Sequence, residues 1–130
     1  EDAAKKMAEI LEKKGCPKVA ISDLAREDMA EALEDAFRYG KIVLAAPSYN
    51  ASVMPFMEDF LHHLQGKNYQ KRTVALVENG SWAPSAAKSM RAILDQMKEI
   101  TVIEPVVTIR GAFKESDIAA LEAAADALLA

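Results

Sequence analysis

Ile42, Val43, Leu44, Ala45 and Ala46 follow one another with no polar residue among them. Side chains of a strand alternate between two faces, so a strand that is apolar at every position leaves neither face for water. Such a run belongs in the middle of a parallel sheet between two helical layers. It stops at Pro47-Ser48-Tyr49-Asn50, a turn carrying a ring, a hydroxyl and an amide. A second segment, Thr73-Val74-Ala75-Leu76-Val77-Glu78-Asn79-Gly80-Ser81-Trp82, repeats the design. Open α/β sheets bind ligands beyond the carboxyl ends of their strands. Two aromatics at two such ends predict a slot for a flat molecule.

Helical and strand patterns alternate along the rest of the chain. Met7, Ile10 and Leu11 mark one face of a helix from Glu1 to Lys14, which Gly15 ends. Val19 to Ile21 reads as a short strand leading to Ser22-Asp23-Leu24. A helix over 27–39 follows, with Ala30, Leu33, Ala36 and Phe37 inward. Further helices are predicted over 53–64, anchored by Phe56, Phe60, Leu61 and Leu64, and over 84–97, with Met90, Ile93, Leu94 and Met97 inward. Pro84 suits a first helical turn, where its missing N–H would be unpaired anyway. Thr101–Ile103 and Val106–Ile109 form a last strand region interrupted at Pro105, which fits a sheet edge better than its centre. Ser116, or the residues just before it, caps a final helix to Leu129. The alternation predicts a doubly wound, three-layer α/β sandwich with a parallel sheet and right-handed crossovers, residues 1–130 forming one domain.

Bulk composition narrows the function classes. With 51% apolar and 28% charged residues the chain reads as an ordinary soluble globule, and a net charge of -4 argues against a nucleic-acid surface. The cluster Lys67, Lys71, Arg72 reads as a solvated connection. Cys16 is the one cysteine, so no intrachain disulfide forms, and a reducing, cytoplasmic setting is expected. No apolar run approaches the roughly 20 residues that span a bilayer, and the N-terminus reads as a charged helix, not a signal peptide. His62 and His63 are adjacent on a helix and diverge, with no further ligand spacing for a metal. Glu58 and Asp59 make no general acid/base pair, and Ser48 and Ser81 have no histidine in motif context for a hydrolase. No catalytic and no metal-ligating residue is assigned.

The strand ending in Pro47-Ser48-Tyr49-Asn50, the following Met54-Pro55-Phe56 and Phe60-Leu61, and the strand ending in Glu78-Asn79-Gly80-Ser81-Trp82 resemble the flavodoxin superfamily. Within it the chain looks most like the flavodoxin-like domain of A-type flavoproteins, the flavodiiron proteins. The resemblance extends over essentially all 130 residues. It implies that Ser48, Tyr49, Asn50 and Ala51 form one loop around the ring of FMN, and that Asn79, Gly80, Ser81 and Trp82 form the other. An aromatic face gives an isoalloxazine ring dispersion and offset stacking, and backbone amides and short side chains reach its polar edge. Gly80 allows the close backbone approach such a turn needs. The implied role is an electron-transfer module, not a complete enzyme, passing electrons from a rubredoxin-like or other donor to a diiron centre in a separate domain.

The resemblance also has a gap. Flavodoxins begin with a central strand and a hydroxyl-rich loop that holds the FMN phosphate, whereas this sequence begins at Glu1, inside the helix that follows. The expectation is an N-terminally truncated or rearranged flavodoxin-like sheet with weak or absent FMN binding. In the order 2-1-3-4-5, loss of the first strand separates Val19–Ile21 from Ile42–Ala46 by one strand width, about 4.8 Å on either side. Earlier residues of a longer protein, a slide of the two outer strands, or a neighbouring molecule could close that gap. A rearranged sheet or a homodimer is the expected result. Two other functions stay open: a flavin-free flavodoxin-like structural or interaction domain that self-associates, and a quinone reductase, for which no pyridine-nucleotide contacts are located.

Overall fold

The computed structural model describes residues 2–16, 19–21, 29–49, 52–53, 55–79, 86–104, 106–110 and 114–130. Their elements run α1 (Asp2–Lys13), α2 (Met29–Arg38), β1 (Lys41–Tyr49), β2 (Ser52–Val53), α3 (Pro55–Gly66), β3 (Arg72–Asn79), α4 (Ala86–Leu94), β4 (Ile100–Val102), β5 (Val107–Ile109) and α5 (Glu115–Leu129). β3 is the hub. β1 lies parallel on one side of it, and β4 and β5 pair in succession with the first and last thirds of its other side, also parallel.

The run of apolar residues in β1 and β3 is buried as two alternating rows. Leu44, Val74 and Leu76 face a core built with α2, α3 and α4, through Ala36, Phe60, Leu61, Leu64, Met90 and Leu94. Ala75 and Val77, with partly buried Val43 and Ala45, face a second core formed with α1 and α5, through Met7, Ile10, Leu11, Leu121, Ala125 and Leu128. The expected three layers are therefore present, and their centre is the β1–β3 pair.

Several boundaries differ from expectation. Val19–Ile21 is not a strand. Val19 rests against the α1/α5 core, but Ile21 is 49% exposed, and no described strand lies beside this segment to accept a ladder. β-Structure requires such a partner, and local propensity cannot replace it. Ser48 and Tyr49 belong to β1, not to a turn: they pair with Val53 and Ser52 of the short antiparallel β2, which delays the start of α3 to Pro55. Asn79 likewise completes β3. α4 stops at Leu94 and tightens through Asp95, Gln96 and Met97, whose N–H groups donate to Arg91, Ile93 and Leu94 carbonyls. Ala30 is exposed; Ala32 and Ala36 are the buried alanines of α2. Residues 22–24, Pro84 and Pro105 lie outside the described residues.

The ends of the helices follow their sequence signals. Gly15, at φ +97°, closes α1: its N–H donates to Glu12 O and the Cys16 N–H to Leu11 O, the paired bonds of a left-handed C-terminal cap. α5 opens at Lys114, whose N–H donates to Asp117 Oδ2 at 2.8 Å while the Asp117 N–H returns to Lys114 O. This is a reciprocal cap.

Tyr69 is 1% exposed and packs edge-on against Phe37, ring centroids 5.2 Å apart, yet its hydroxyl has no hydrogen-bond partner. Tyr69→Phe is therefore expected to stabilise the protein by about 1 kcal/mol, the desolvation cost of an unpaired hydroxyl. A rise in urea midpoint at unchanged slope is the measurement. Burial pushes the Tyr69 phenol up from 10.0 to about 12, with the Arg72 charge opposing. Between those pH values the folded chain keeps a proton that the unfolded chain has lost. Stability is thus full below the lower value and falls as pH rises toward the upper, by up to about 1.4 kcal/mol per pH unit. Tyr69→Phe should remove that part of the alkaline slope.

Candidate functional site

The register of β1 on β3 decides where the two strands end. Ala46 is opposite Glu78 and Pro47 opposite Asn79 on neighbouring parallel strands. Such strands are about 4.8 Å apart. Ser48, Tyr49 and Asn79 therefore end their strands at one rim of the sheet, the carboxyl rim. The chain continues from Tyr49 into Asn50 and Ala51, and from Asn79 into Gly80, Ser81 and Trp82. Those five residues lie outside the described residues.

Pro47 sits inside a strand without breaking its ladder to β3. Gly40 O accepts from Thr73 N–H, so even-numbered residues of β1 turn their peptide groups toward β3 and odd-numbered ones turn away. Pro47, which has no N–H, is odd-numbered. Its missing donor falls on the far edge.

Beneath the rim stands a carboxylate that sequence reading did not single out. Glu78 is only 7% exposed. Its Oε1 accepts the Ala87 N–H at 3.0 Å and its Oε2 accepts the Thr108 Oγ1 hydroxyl at 2.8 Å. Burying a carboxylate is costly unless it is hydrogen-bonded, and both oxygens are. Ala87 is in the first turn of α4, where backbone N–H groups lack a helical acceptor and negative charge is favoured. Thr108 faces Glu78 directly across the β3–β5 ladder. The signal in the sequence was a charged residue directly after the apolar run Val74–Val77.

His62 and His63 are exposed, and His63 Nδ1 lies 2.8 Å from Asp59 O, one helical turn back. Among the described residues no group of three or more His, Cys, Asp or Glu side chains could hold a metal ion. No described helix is long and apolar enough to cross a membrane. Arg72, expected to be solvated, is instead part-buried and bonded to three backbone carbonyls.

No family model matches the chain, and no curated protein matches its sequence. Solved structures match its fold. The chain is similar to rubredoxin oxygen:oxidoreductase of the anaerobe Desulfovibrio gigas, with TM-score 0.90 and 16% identity over 98% of this chain and 31% of that one. It is similar to a flavo di-iron protein variant of Thermotoga maritima, with TM-score 0.79 and 24% identity over 98% of this chain and 32% of that one. Oxidised flavodoxin 1 of Bacillus cereus matches with TM-score 0.80 and 14% identity, over 98% of this chain and 87% of that one. The chain thus spans under a third of the lengths of the first two structures and most of the flavodoxin's. These likenesses establish a flavodoxin-like α/β fold, and among the described residues its parallel strands are β1, β3, β4 and β5.

Proposed function

We propose that this domain is an FMN-dependent electron-transfer module of a flavodiiron-type system. The observation carrying the reading is the register that brings Pro47 opposite Asn79, so that both ring-bearing segments leave one rim of one parallel sheet. The residue types there suit the ring: aromatics Tyr49 and Trp82 for its faces, Ser48, Asn50, Asn79 and Ser81 for its polar edge, and Ala51 and Gly80 for close backbone approach. FMN, when bound, supplies reversible electron uptake, which the protein tunes through the groups placed against the ring. The partners of this reading are a diiron domain and a rubredoxin-like or other donor in the cytoplasm.

All of these residues address the ring and none the phosphate. Affinity is therefore weak, and it is nearly independent of the phosphate. Titration of folded protein with FMN should quench flavin fluorescence with a micromolar dissociation constant, and riboflavin should bind about as well. A preference for FMN above about tenfold, the worth of one charge-assisted hydrogen bond, would show a phosphate cradle and overturn the weak-binding part of the reading. Absence of any flavin binding would overturn the whole.

One observation favours a second reading, a flavin-free structural or interaction domain. Along Lys41–Pro47 no described strand pairs with the edge of β1 that faces away from β3. An open edge on an apolar strand templates pairing with another chain. Self-association as a homodimer through this edge predicts a concentration-dependent mass in sedimentation velocity, with no response to flavin.

A further inference from the structure

We propose that the amino rim of the sheet, the end at which its parallel strands begin, is a docking surface for an acidic segment of another polypeptide, held by Lys41, Lys67, Lys71 and Lys98. These lysines are scattered in sequence and gathered by the fold. Lys41 opens β1, Lys71 stands directly before β3, and Lys98 stands two residues before β4. β1 and β4 flank β3 on its two sides, so the three lysines stand at the starts of adjacent strands whose backbones are about 4.8 Å apart. Lys41 is opposite Thr73, two positions beyond Lys71, and the Lys71 N–H donates to Lys98 O at 3.2 Å. Lys67 follows α3, which returns the chain to this same end before β3. Gln65 Nε2 donates to Gln96 Oε1 at 2.8 Å, tying the end of α3 to the residues just after α4.

All four lysines are exposed, and none of their ammonium groups makes an ion pair or hydrogen bond with a described residue. Helix C-termini attract cations, and α2, α3 and α4 end here. Arg72 meets that demand at α2 by donating to the Phe37 and Tyr39 carbonyls. The lysines bond to no such carbonyl and leave their charge to solvent. Lys71 and Glu99 moreover hold φ at +57° and +53°, a left-handed backbone that glycine adopts freely and other residues seldom do. Charged side chains thus stand at two positions where the backbone favours glycine. Glu99 selects the class of partner. Exposed beside Lys98, it repels a chain of uniform negative charge such as a nucleic acid, as does the net charge of -4. A polypeptide can set separate carboxylates against the lysines and a cation against Glu99. The eight residues of β3 put Asn79 about 25 Å away, so a partner docked here leaves the carboxyl rim free. The inference does not depend on flavin binding.

The probe is a fluorescently labelled peptide of alternating glutamate and serine with one central lysine, and binding is read by anisotropy. The wild type should bind it saturably, with affinity falling about tenfold between about 20 and 200 mM salt as screening lengthens. Lys71→Glu combined with Lys98→Glu should weaken binding about tenfold, the sum of several exposed charge pairs. Lys5→Glu combined with Lys88→Glu, on α1 and in the first turn of α4, changes the net charge equally and should stay within about twofold of wild type. Lys71→Gly should raise the urea midpoint while lowering affinity, since it relieves the left-handed backbone and removes one cation. If the Lys71 and Lys98 double variant does not fold, Lys41→Glu combined with Lys67→Glu takes its place with the same expectation. Three results would overturn the proposal: no saturable binding by the wild type, equal losses in the rim and control double variants, or an oligothymidylate of the same net charge binding as tightly as the peptide.

Discussion

Arg72→Ala is expected to cost about 3 kcal/mol, taking charge-assisted bonds at the low end and allowing for water replacing part of the loss. A domain holds only about 5 to 15 kcal/mol in all, so the variant should be close to unfolding at modest urea. The guanidinium donates through Nε to Tyr39 O at 3.0 Å, through one terminal nitrogen to Gln70 O at 2.7 Å and through the other to Phe37 O at 3.0 Å. Phe37 and Tyr39 lie at the C-terminal end of α2, where carbonyls lack helical donors and a cation is favoured. The same group lies 5.1 Å from the centroid of the Tyr69 ring. One side chain thus ties α2 to the start of β3. Arg72→Lys retains charge without the planar fork and should recover only a minor part of the loss. Arg91→Ala provides the contrast. Its pair with Glu104 is short, 2.7 Å, but both side chains are well exposed, and the expected cost is about 0 to 1 kcal/mol. Equal urea midpoints for the Arg72 and Arg91 variants would sink this account.

Arg72 also shows what could not be read from the sequence. Lys67, Lys71 and Arg72 look alike there, a polar crossover with charge. Which of the three turns inward depends on where α2 ends relative to the start of β3, a distance of more than thirty residues along the chain. Local patterns did better where one element supplies its own signal. The unbroken apolar runs located β1 and β3, and their parallel pairing puts the carboxyl ends of these two strands at one rim. Gly15 closes α1 where its backbone freedom is needed. The failures share a cause. Val19–Ile21 has strand composition but no neighbouring strand among the described residues; Ser48 and Tyr49 look like turn residues but find β2. In both cases the presence or absence of a pairing strand, not the composition of the segment, decided the outcome.

Proline scanning of β1 should give the largest contrast in the molecule. Leu44 is even-numbered, 3% exposed and in register with Leu76, so its N–H belongs to the ladder with β3. Ala45 is odd-numbered and turns its N–H to the edge where no described strand pairs. Leu44→Pro removes a central ladder bond, places a ring against β3 and deletes a core side chain. It should leave the domain unfolded. Leu44→Ala isolates the side-chain share, about 2 to 5 kcal/mol. Ala45→Pro sacrifices no bond to β3 and repeats, two residues earlier, the parity at which Pro47 already stands. It should cost far less than Leu44→Pro and leave a cooperative urea transition. The comparison reads the state of the edge directly. If a strand from the same or another chain occupies that edge in solution, the Ala45 N–H is a ladder donor, and Ala45→Pro becomes as damaging as Leu44→Pro. Sedimentation then identifies the source, since a homodimer held through the edge would dissociate in the proline variant whereas an intramolecular strand would leave the mass unchanged.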